Sequence, residues 1–256
     1  FYTFSSPRLA SENTHGTGCC FSAAIAAFLA KGQDVPSSVS KAKELVYEAI
    51  RYGIPVGKGY GSVNPLAPLY LESEKYRVLS RLERALKELN SLNGVARLMP
   101  EVRMNFVYAL PEAKGPEDVL GIPGRITYDG ESLKYLSPPR FGSSSHMARA
   151  LIAYMELYPE VRSALNVRYD EKLVEVARNL GLKVGKFDRE EEPEETRVRE
   201  GATMPWGITK ALKEAGEKLD LIVDLGGVGK EPLILIFGED PEDIVRKVRL
   251  ILGIAK

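Results

Sequence analysis

Hydrophobic and polar positions in the first part of the chain repeat with the spacing of helices. Residues 19–31 combine small and apolar side chains and stop at Gly32, which predicts a buried helix with a glycine end. Residues 38–52 place their apolar side chains on one face, and residues 76–92 repeat leucines three and four positions apart. Residues 1–4 (FYTF) have the composition of a strand end. The patterns predict three helices after a short strand.

The segment 53–68 interrupts these patterns. Glycine or proline stands at almost every second or third position there, which neither a helix nor a central strand tolerates. A chain of 256 residues is long enough for two modest domains. We therefore place a domain boundary in this segment and expect domains at residues 1–65 and 69–256.

Beyond residue 100, strand-like and helix-like patterns alternate. Aromatic and β-branched content predicts strands at residues 103–110, 125–128, 133–136, 164–169, 184–187, 219–225 and 232–237. Helical spacing predicts helices at residues 147–157, 171–180, 207–215 and 241–252. Such alternation is typical of an α/β fold in which helices cover both faces of a sheet. The charge run at residues 190–195 is expected to be a solvated loop.

Composition and charge narrow the class of protein. Lysine plus arginine number 35 and aspartate plus glutamate number 35, so no nucleic-acid partner is expected. The longest apolar runs, residues 21–30 and 233–237, fall short of the ~20 residues that span a bilayer, so no membrane partner is expected. The two cysteines are adjacent, which argues against a disulfide scaffold and indicates a cytoplasmic protein. Whether the chain forms a homo-oligomer stays open.

A glycine-bounded turn, NTHGTGC at residues 13–19, leads into the first predicted helix. Such a turn exposes backbone N–H groups that suit an anion, although a plain helix start has the same pattern. The longer strings HGTGCCFSAAIAAFLAKG and AIRYGIPVGKGYGSVNPL resemble the C-terminal part of hydroxymethylpyrimidine phosphate kinase, a ribokinase-like enzyme of thiamine synthesis. The resemblance covers residues 1–65.

The kinase resemblance implies roles for the residues of this turn. Gly16, Thr17 and Gly18 are expected to form the anion hole that binds the transferring phosphoryl group. Cys19 is expected where related kinases have an aspartate base, and a helix N-terminus favours the thiolate form of a cysteine. The strands that carry the pyrimidine and nucleotide pockets in the family would precede Phe1. We therefore expect this partial ribokinase-like remnant to be inactive alone.

Seven polar strings follow one another in the second part of the chain: MPEVRMNFVYALP, IPGRITYDG, FGSSSHMARA, LNVRY, FDREEEP, GATMPWG and DLGGVGKEP. They lie at predicted strand–helix junctions, where sites on α/β sheets gather. In this order they resemble the archaeal-type thiamine-phosphate synthase domain, which is found fused behind the kinase, over residues 72–256. The resemblance implies a three-layer α/β/α domain with a mixed sheet, related to class II aldolases. Arg103 departs from the pattern because a small residue, usually glycine, is expected there.

The synthase resemblance implies a reaction that joins hydroxymethylpyrimidine diphosphate to thiazole phosphate and releases pyrophosphate. This reaction needs a diphosphate clamp, Mg²⁺ as cofactor and a dry pocket for a pyrimidine-methyl cation. Arg125, which follows a Pro-Gly turn, and His146, which follows three serines at a helix start, are the candidate catalytic residues. A surface arginine and an exposed histidine at a helix cap are the alternatives. A metal-dependent aldolase site is excluded, since His146 is the only histidine after residue 15.

Further side chains are expected to bind the substrates. The candidates are Asn105, Arg149, Arg168, Asp188, Trp206 and Lys230, with Arg189 as a further phosphate ligand. Asp188 is also the candidate Mg²⁺ ligand, and Gly227 of the glycine-rich string is a candidate phosphate-binding residue. Trp206 is expected in a loop formed by TMPWG, where it could stack on the pyrimidine. The alternatives are a strand-end salt bridge for Asp188, a core position for Trp206 and a plain turn at Gly227.

A non-catalytic domain that senses thiamine phosphates is the alternative function. The corresponding domain of archaeal repressors is fused to a DNA-binding helix-turn-helix and tends to lose the catalytic polar residues. Arg125 and His146 are both present here, and no helix-turn-helix pattern precedes the domain. These two observations favour an enzyme.

Overall fold

The computed structural model describes residues 1–253 and contains two compact units, Phe1–Lys75 and Tyr76–Lys256. The division lies within helix α3 (Ala67–Ser91), a few residues after the boundary expected from the glycine- and proline-rich segment. Helix α3 begins earlier than the predicted start at residue 76 and continues without a break past this division. Among the described residues, no helix combines the length and apolar content needed to cross a membrane.

The first unit is built around two helices. Helices α1 (Thr17–Ala30) and α2 (Val35–Arg51) pack against each other, and α2 begins at Asp34, whose carboxylate accepts a 2.7 Å hydrogen bond from the amide of Ser37. The predicted strand at residues 1–4 is wrong. No strand of the described chain lies beside this segment, so its backbone has no ladder to join.

A seven-stranded mixed sheet forms the centre of the second unit. Its strands are β1 (Phe106–Ala109), β2 (Val119–Gly121), β5 (Arg140–Phe141), β6 (Ser163–Arg168), β7 (Val184–Phe187), β8 (Leu221–Asp224) and β9 (Leu233–Gly238). They lie in the order β5-β2-β1-β6-β9-β8-β7, and only the β7–β8 pair is parallel.

Two of the predicted strands lie outside this sheet. Residues 125–128 and 133–136 contribute β3 (Thr127–Tyr128) and β4 (Leu133–Lys134), which pair only with each other as a small hairpin. The short strands β2 and β5 take the places at the sheet edge. At three and two residues, these strands are too short to show a period-two pattern in the sequence.

Helices cover both faces of the sheet. Helices α4 (Ser145–Met155) and α7 (Thr203–Ala215) pack on one face, where Val107 and Ala109 join their apolar core. The intervening Tyr108 contacts α3 on the opposite face, where its hydroxyl accepts a 3.0 Å hydrogen bond from Arg81. Helices α5 (Glu171–Asn179) and α8 (Pro241–Ile251) pack together there. The predicted three-layer α/β/α architecture with a mixed sheet is confirmed.

Tyr154 fixes helix α4 to the sheet. Its hydroxyl donates to the carbonyl of Leu219 at 2.7 Å and accepts from the amide of the same residue at 2.8 Å. Its ring lies 4.4 Å from that of Phe237 on β9, and burial raises the pKa of the tyrosine. Because α4 is held at its C-terminal half, its first turn has a defined position at the end of the sheet.

The charge run at residues 190–195 is solvated as predicted, with every residue except Glu192 exposed, but it forms helical turns and not a loop. A short 3-10 helix, Arg189–Glu191, leads into α6 (Glu194–Arg197), and Glu192 between them is only 7% exposed. Asp188 begins the first turn by accepting a hydrogen bond from the amide of Glu190 at 2.9 Å. Local capping therefore gives this exposed segment helical turns that its charge pattern did not predict.

Candidate active site

A cavity of about 650 Å³ opens at one end of the seven-stranded sheet, within the second unit. Loops that flank β1, β2, β7 and β9 form its wall together with the first turn of α4. Four cationic side chains and one histidine line it: Arg103, Arg125, Arg189, Lys230 and His146. A site with this excess of positive charge suits an anionic ligand.

Arg125 lies on the turn that follows β2. Its φ of 69° is in the left-handed region, where a side chain other than glycine costs about 1–2 kcal/mol. The exposed guanidinium donates from Nη1 to the backbone carbonyl of Val102 on the neighbouring loop. The predicted clamp residue therefore reaches the cavity from a strained turn rather than from a strand start.

Arg103 stands where the family pattern has a small residue, and its backbone conformation shows why a small residue is usual there. It also has a φ of 69°, the conformation that favours glycine, and it lines the same cavity with an exposed side chain. The positive φ at this position therefore favours glycine, while the arginine side chain adds a cation to the site. The sequence signalled the anomaly but not the added cation.

His146 opens into the cavity from the first turn of α4. Ser144 is the N-cap, but its hydroxyl makes no capping hydrogen bond, and the amide of Ala148 donates to the carbonyl of Ser144 at 2.8 Å. The amides that precede Ala148 in this turn have no intrahelical acceptor, which is the usual arrangement for binding an anion. The close approach of β2 requires Gly121, since a Cβ there would lie 2.9 Å from that of Ser144.

The surroundings of His146 keep its imidazole neutral. Although the residue reaches solvent through the cavity, protein packed around the ring lowers its pKa to about 4, mainly by desolvation. The positive charges of Arg189, Arg125 and Lys230 act in the same direction, and only Asp224 opposes them. The ligand-free site therefore holds an unprotonated histidine among cations at neutral pH.

Arg189 is held by a buried ion pair. Its Nε and Nη2 donate to the carboxylate of Asp224 at 2.6 to 3.2 Å, and Asp224 is fully buried at the end of β8. These hydrogen bonds raise the pKa of Arg189, so the guanidinium stays charged. Asp224, the first residue of the string DLGGVGKEP, was not among the candidates, because the sequence does not show that its carboxylate is buried beside Arg189.

Lys230 projects from the tight turn between β8 and β9. The amide of Gly227 donates to the carbonyl of Lys230 at 3.0 Å, and the amide of Lys230 donates back at 2.9 Å. Gly226 is required here because a Cβ would lie 2.5 Å from that carbonyl oxygen. Phosphate binding by Gly227 stays a prediction: its amide donates within the turn, and Gly229 of the same turn lines the cavity. The turn positions Lys230 at this wall.

Asn105 lines the cavity but braces its wall. Its carboxamide donates to the carbonyl of Ile122 and accepts from the amide of Ile122, both at 3.0 Å. Asn166 accepts from the amide of Asn105 at 2.6 Å and donates to the carbonyl of Arg103 at 3.0 Å. The two asparagines thus fix the strained loop that carries Arg103. Asn166 stands within the string LNVRY but was not among the candidate residues.

Four predicted substrate-binding residues lie away from the cavity. Arg149 packs beside Gly201, and Arg168 is exposed at the end of β6. Asp188 caps its 3-10 helix. Trp206 lies within α7 rather than in a loop, with its ring 6.2 Å from that of Phe187 and edge-on to it. Asp188 and Trp206 therefore have structural contacts, and substrate binding by Arg149 and Arg168 stays a prediction.

The residues present do not form a Mg²⁺ site of their own. No group of three or more histidine, cysteine, aspartate or glutamate side chains with ligating geometry occurs within residues 1–253. Glu101 and Glu231 are the carboxylates on the cavity wall, and Glu231 already accepts hydrogen bonds from the amides of Glu101 and Val102. Asp188, the candidate Mg²⁺ ligand, is not among the residues that line the cavity. Mg²⁺ as a cofactor stays a prediction, and no step below depends on it.

In the first unit, the glycine turn precedes α1 as predicted. Gly16 has a φ of 87°, and the hydroxyl of Thr17 donates to the carbonyl of Thr14 at 2.6 Å. Thr17 and Gly18 line a second cavity of about 460 Å³, and Cys19 is exposed outside it. Phosphate binding by this turn and a base role for Cys19 stay predictions.

Comparison with known proteins finds a matching family for each part of the chain. The sequence pattern of the "Thiamine-phosphate synthase ThiN" family matches residues 81–250, and that of "Phosphomethylpyrimidine kinase" matches residues 1–64. The "Crystal structure of C-terminal domain of phosphomethylpyrimidine kinase" is 47% identical and aligns with a TM-score of 0.66, covering 70% of this chain and all of that one.

Two archaeal relatives place these matches in context. The "Bifunctional thiamine biosynthesis protein ThiDN" of Methanocaldococcus jannaschii is 36% identical over 97% of this chain, which spans 56% of that relative. The "Thiamine-phosphate synthase ThiN" of Methanothermobacter thermautotrophicus is 40% identical over 65% of this chain and 87% of its own length. Since the family pattern covers more than half of the residues, the chain belongs to the thiamine-phosphate synthase ThiN family.

Proposed function

We propose that the second unit joins hydroxymethylpyrimidine diphosphate to thiazole phosphate, giving thiamine phosphate and pyrophosphate. The observation that carries this proposal is the convergence of Arg125, His146 and further cations on one cavity at the N-terminus of α4. The relatives whose names state this activity support the choice of reaction.

The reaction places its greatest demand on the leaving group. The bond between the pyrimidine methylene carbon and the diphosphate oxygen breaks with its electron pair on oxygen. The lone pair of the thiazole nitrogen then forms the new C–N bond. Negative charge grows on the departing pyrophosphate, and the Arg125 guanidinium and the free amides of α4 stabilise it where it develops.

His146 suits the role of a proton donor to the leaving group. Its imidazole is neutral in the ligand-free cavity because its pKa is about 4. A bound diphosphate brings negative charge that favours the protonated ring, so His146 takes up a proton as the ligand binds. The imidazolium can then donate a hydrogen bond or its proton to the departing pyrophosphate.

The test is a direct assay of the chain with both substrates. We expect thiamine phosphate and pyrophosphate to form in equal amounts, and His146→Ala to reduce the rate of formation strongly. Binding of thiamine phosphate without turnover by the unmodified chain would instead support a sensing domain.

We propose no kinase activity for this chain alone. Residues 1–64 match the kinase family, and the corresponding stretch spans 23% of the kinase of Haemophilus influenzae, a curated relative. The first unit supplies the glycine turn of such a site, and the remainder of a kinase fold is needed to complete a nucleotide pocket.

A further inference from the structure

The cations of the cavity differ in how firmly the protein holds them. Arg103, Arg125 and Lys230 are exposed, whereas the side chain of Arg189 is 14% exposed. Two nitrogens of its guanidinium are bound to Asp224, and Nη2 also lies 3.8 Å from the sulfur of Met204. Arg189 is therefore fixed before any ligand arrives.

Asp224 holds more than one part of the wall. Besides Arg189, its carboxylate accepts a 3.0 Å hydrogen bond from the amide of Gly226. Gly226 begins the turn that carries Lys230, and Gly227 of the same turn lies against the stem of Arg189. One buried carboxylate thus sets the position of a guanidinium and of the loop beside it.

The Nη1 group of Arg189 is available to donate hydrogen bonds to a ligand. Within the described residues, its Nη1 makes no hydrogen bond to protein, and the side chain lines the cavity that also holds His146. Its positive charge lowers the pKa of His146, as do the charges of Arg125 and Lys230. The free edge of a charged guanidinium is a strong phosphate ligand.

We infer that Arg189 is the fixed arm of the diphosphate clamp and that the buried Asp224 is the positioning residue that aims it. The inference rests on the proposed synthase function of the cavity and assigns the second arm of its clamp. A guanidinium that is already immobilised loses little conformational freedom on binding, and it needs no reorganisation when charge develops on the leaving group. Arg125 on its exposed turn is the arm that adjusts to the ligand.

The competing explanation is that the Arg189–Asp224 ion pair only stabilises the fold. Variants of the full chain distinguish this explanation from a role in binding the diphosphate. Arg189→Met alone removes the arm, and Arg189→Met with Asp224→Asn removes both charges while keeping an acceptor for Gly226. Arg189→Lys retains a charge beside Asp224 but not the fork. Lys247→Met is the matched control: Lys247 is also buried and paired with carboxylates, Asp220 and Asp243, but it lies outside the cavity.

The measurements are thermal unfolding, calorimetric affinity for inorganic pyrophosphate, and the pKa of His146 by NMR. We expect both Met variants to bind pyrophosphate about 10²-fold more weakly than the parent. Arg189→Lys should recover little of this loss, and folded Asp224→Asn should also weaken binding. Arg189→Met should raise the pKa of His146 from about 4, since it removes a neighbouring positive charge. Lys247→Met should lower the unfolding temperature but leave affinity and the histidine pKa unchanged.

Pyrophosphate affinity within twofold of the parent in a folded Arg189 variant would overturn the clamp assignment. The same result in Asp224→Asn would overturn the positioning role. Should neither Met variant fold, parent-like affinity of Arg189→Lys would count against the fixed fork. A parent that binds pyrophosphate through Arg189 but makes no thiamine phosphate from both substrates would contradict the proposed function and leave the clamp standing.

Discussion

The Arg125 guanidinium donates a hydrogen bond to the backbone carbonyl of Val102, the residue immediately before Arg103. Arg103 and Arg125 share a φ of 69°, so two strained arginine backbones meet at one edge of the cavity. Strain of this kind persists only where surrounding contacts over-determine the conformation, and here Asn166 and Val102 supply those contacts.

Replacement of Arg103 separates backbone strain from side-chain charge. Arg103→Gly and Arg103→Ala both remove the guanidinium, but only glycine relieves the positive φ. We expect both variants to bind pyrophosphate equally weakly, and the glycine variant to be more stable than the alanine variant by ~1 kcal/mol in urea unfolding. Equal stability of the two variants would show that position 103 stores no strain.

Arg125→Ala should lower turnover by ~10²-fold, because it removes a donor aimed at charge that develops on the leaving group. Arg125→Lys should restore little, since an ammonium group cannot reproduce the planar fork. Steady-state kinetics of the chain checks both changes, with Arg178→Ala, an exposed arginine of α5 outside the cavity, as the control. Near-parental turnover in Arg125→Ala would remove Arg125 from the catalytic machinery.

Pyrophosphate binding should be coupled to proton uptake by His146. The pKa of the free histidine is about 4, so the ring is unprotonated near pH 6, and the negative ligand raises this pKa. Calorimetry in two buffers of different ionisation enthalpy measures the proton uptake. The His146→Asn variant measures the proton uptake that comes from pyrophosphate itself. Identical proton uptake by the variant and the parent would contradict His146 as the group that binds the proton.

The same histidine makes stability depend on pH. Its pKa lies at about 4 in the folded chain, against 6.5 for the unperturbed group. The unfolded state therefore binds the proton first as the pH falls, and the free energy of unfolding declines between these values. We expect His146→Asn to flatten that decline in unfolding experiments between pH 7 and about pH 4. An unchanged slope would show that His146 is not the titrating group.

Limited proteolysis tests the division of the chain. The segment 53–68 carries few regular hydrogen bonds, so the first cuts should fall there, ahead of α3. The fragment that begins near Ala67 should stay folded and retain synthase activity, since it contains the whole cavity. Mass spectrometry locates the cuts, and early cleavage within residues 100–250 would contradict two separate units.

The predictable part of the fold is its longer strands and helices. The four-residue or longer strands of the sheet and helices such as α8 overlap the segments predicted from periodicity. Strands β2 and β5 were not predicted, because their strand conformation depends on pairing and not on sequence pattern. Strand β2 pairs with β1, and β5 pairs with β2. Trp206 was misplaced because Pro205 was taken as part of a loop, although proline is tolerated in the first turn of a helix such as α7.

The predictable part of the site is the set of residues within the longest polar strings. Arg125, His146 and Lys230 line the cavity as the strings implied, and Asn105 does so as a brace. Asp224 and Asn166 also stand within these strings, in DLGGVGKEP and LNVRY, but nothing in the sequence distinguished them from their neighbours. Their importance comes from burial and from hydrogen bonds to residues far apart in sequence, which only the fold brings together.

A crystal structure of the chain with pyrophosphate tests the central claim most directly. We predict the pyrophosphate at the first turn of α4, with its oxygens within hydrogen-bond reach of Arg125, His146 and Arg189. Pyrophosphate bound away from this cavity, or bound there with none of the three side chains in contact, would contradict the account.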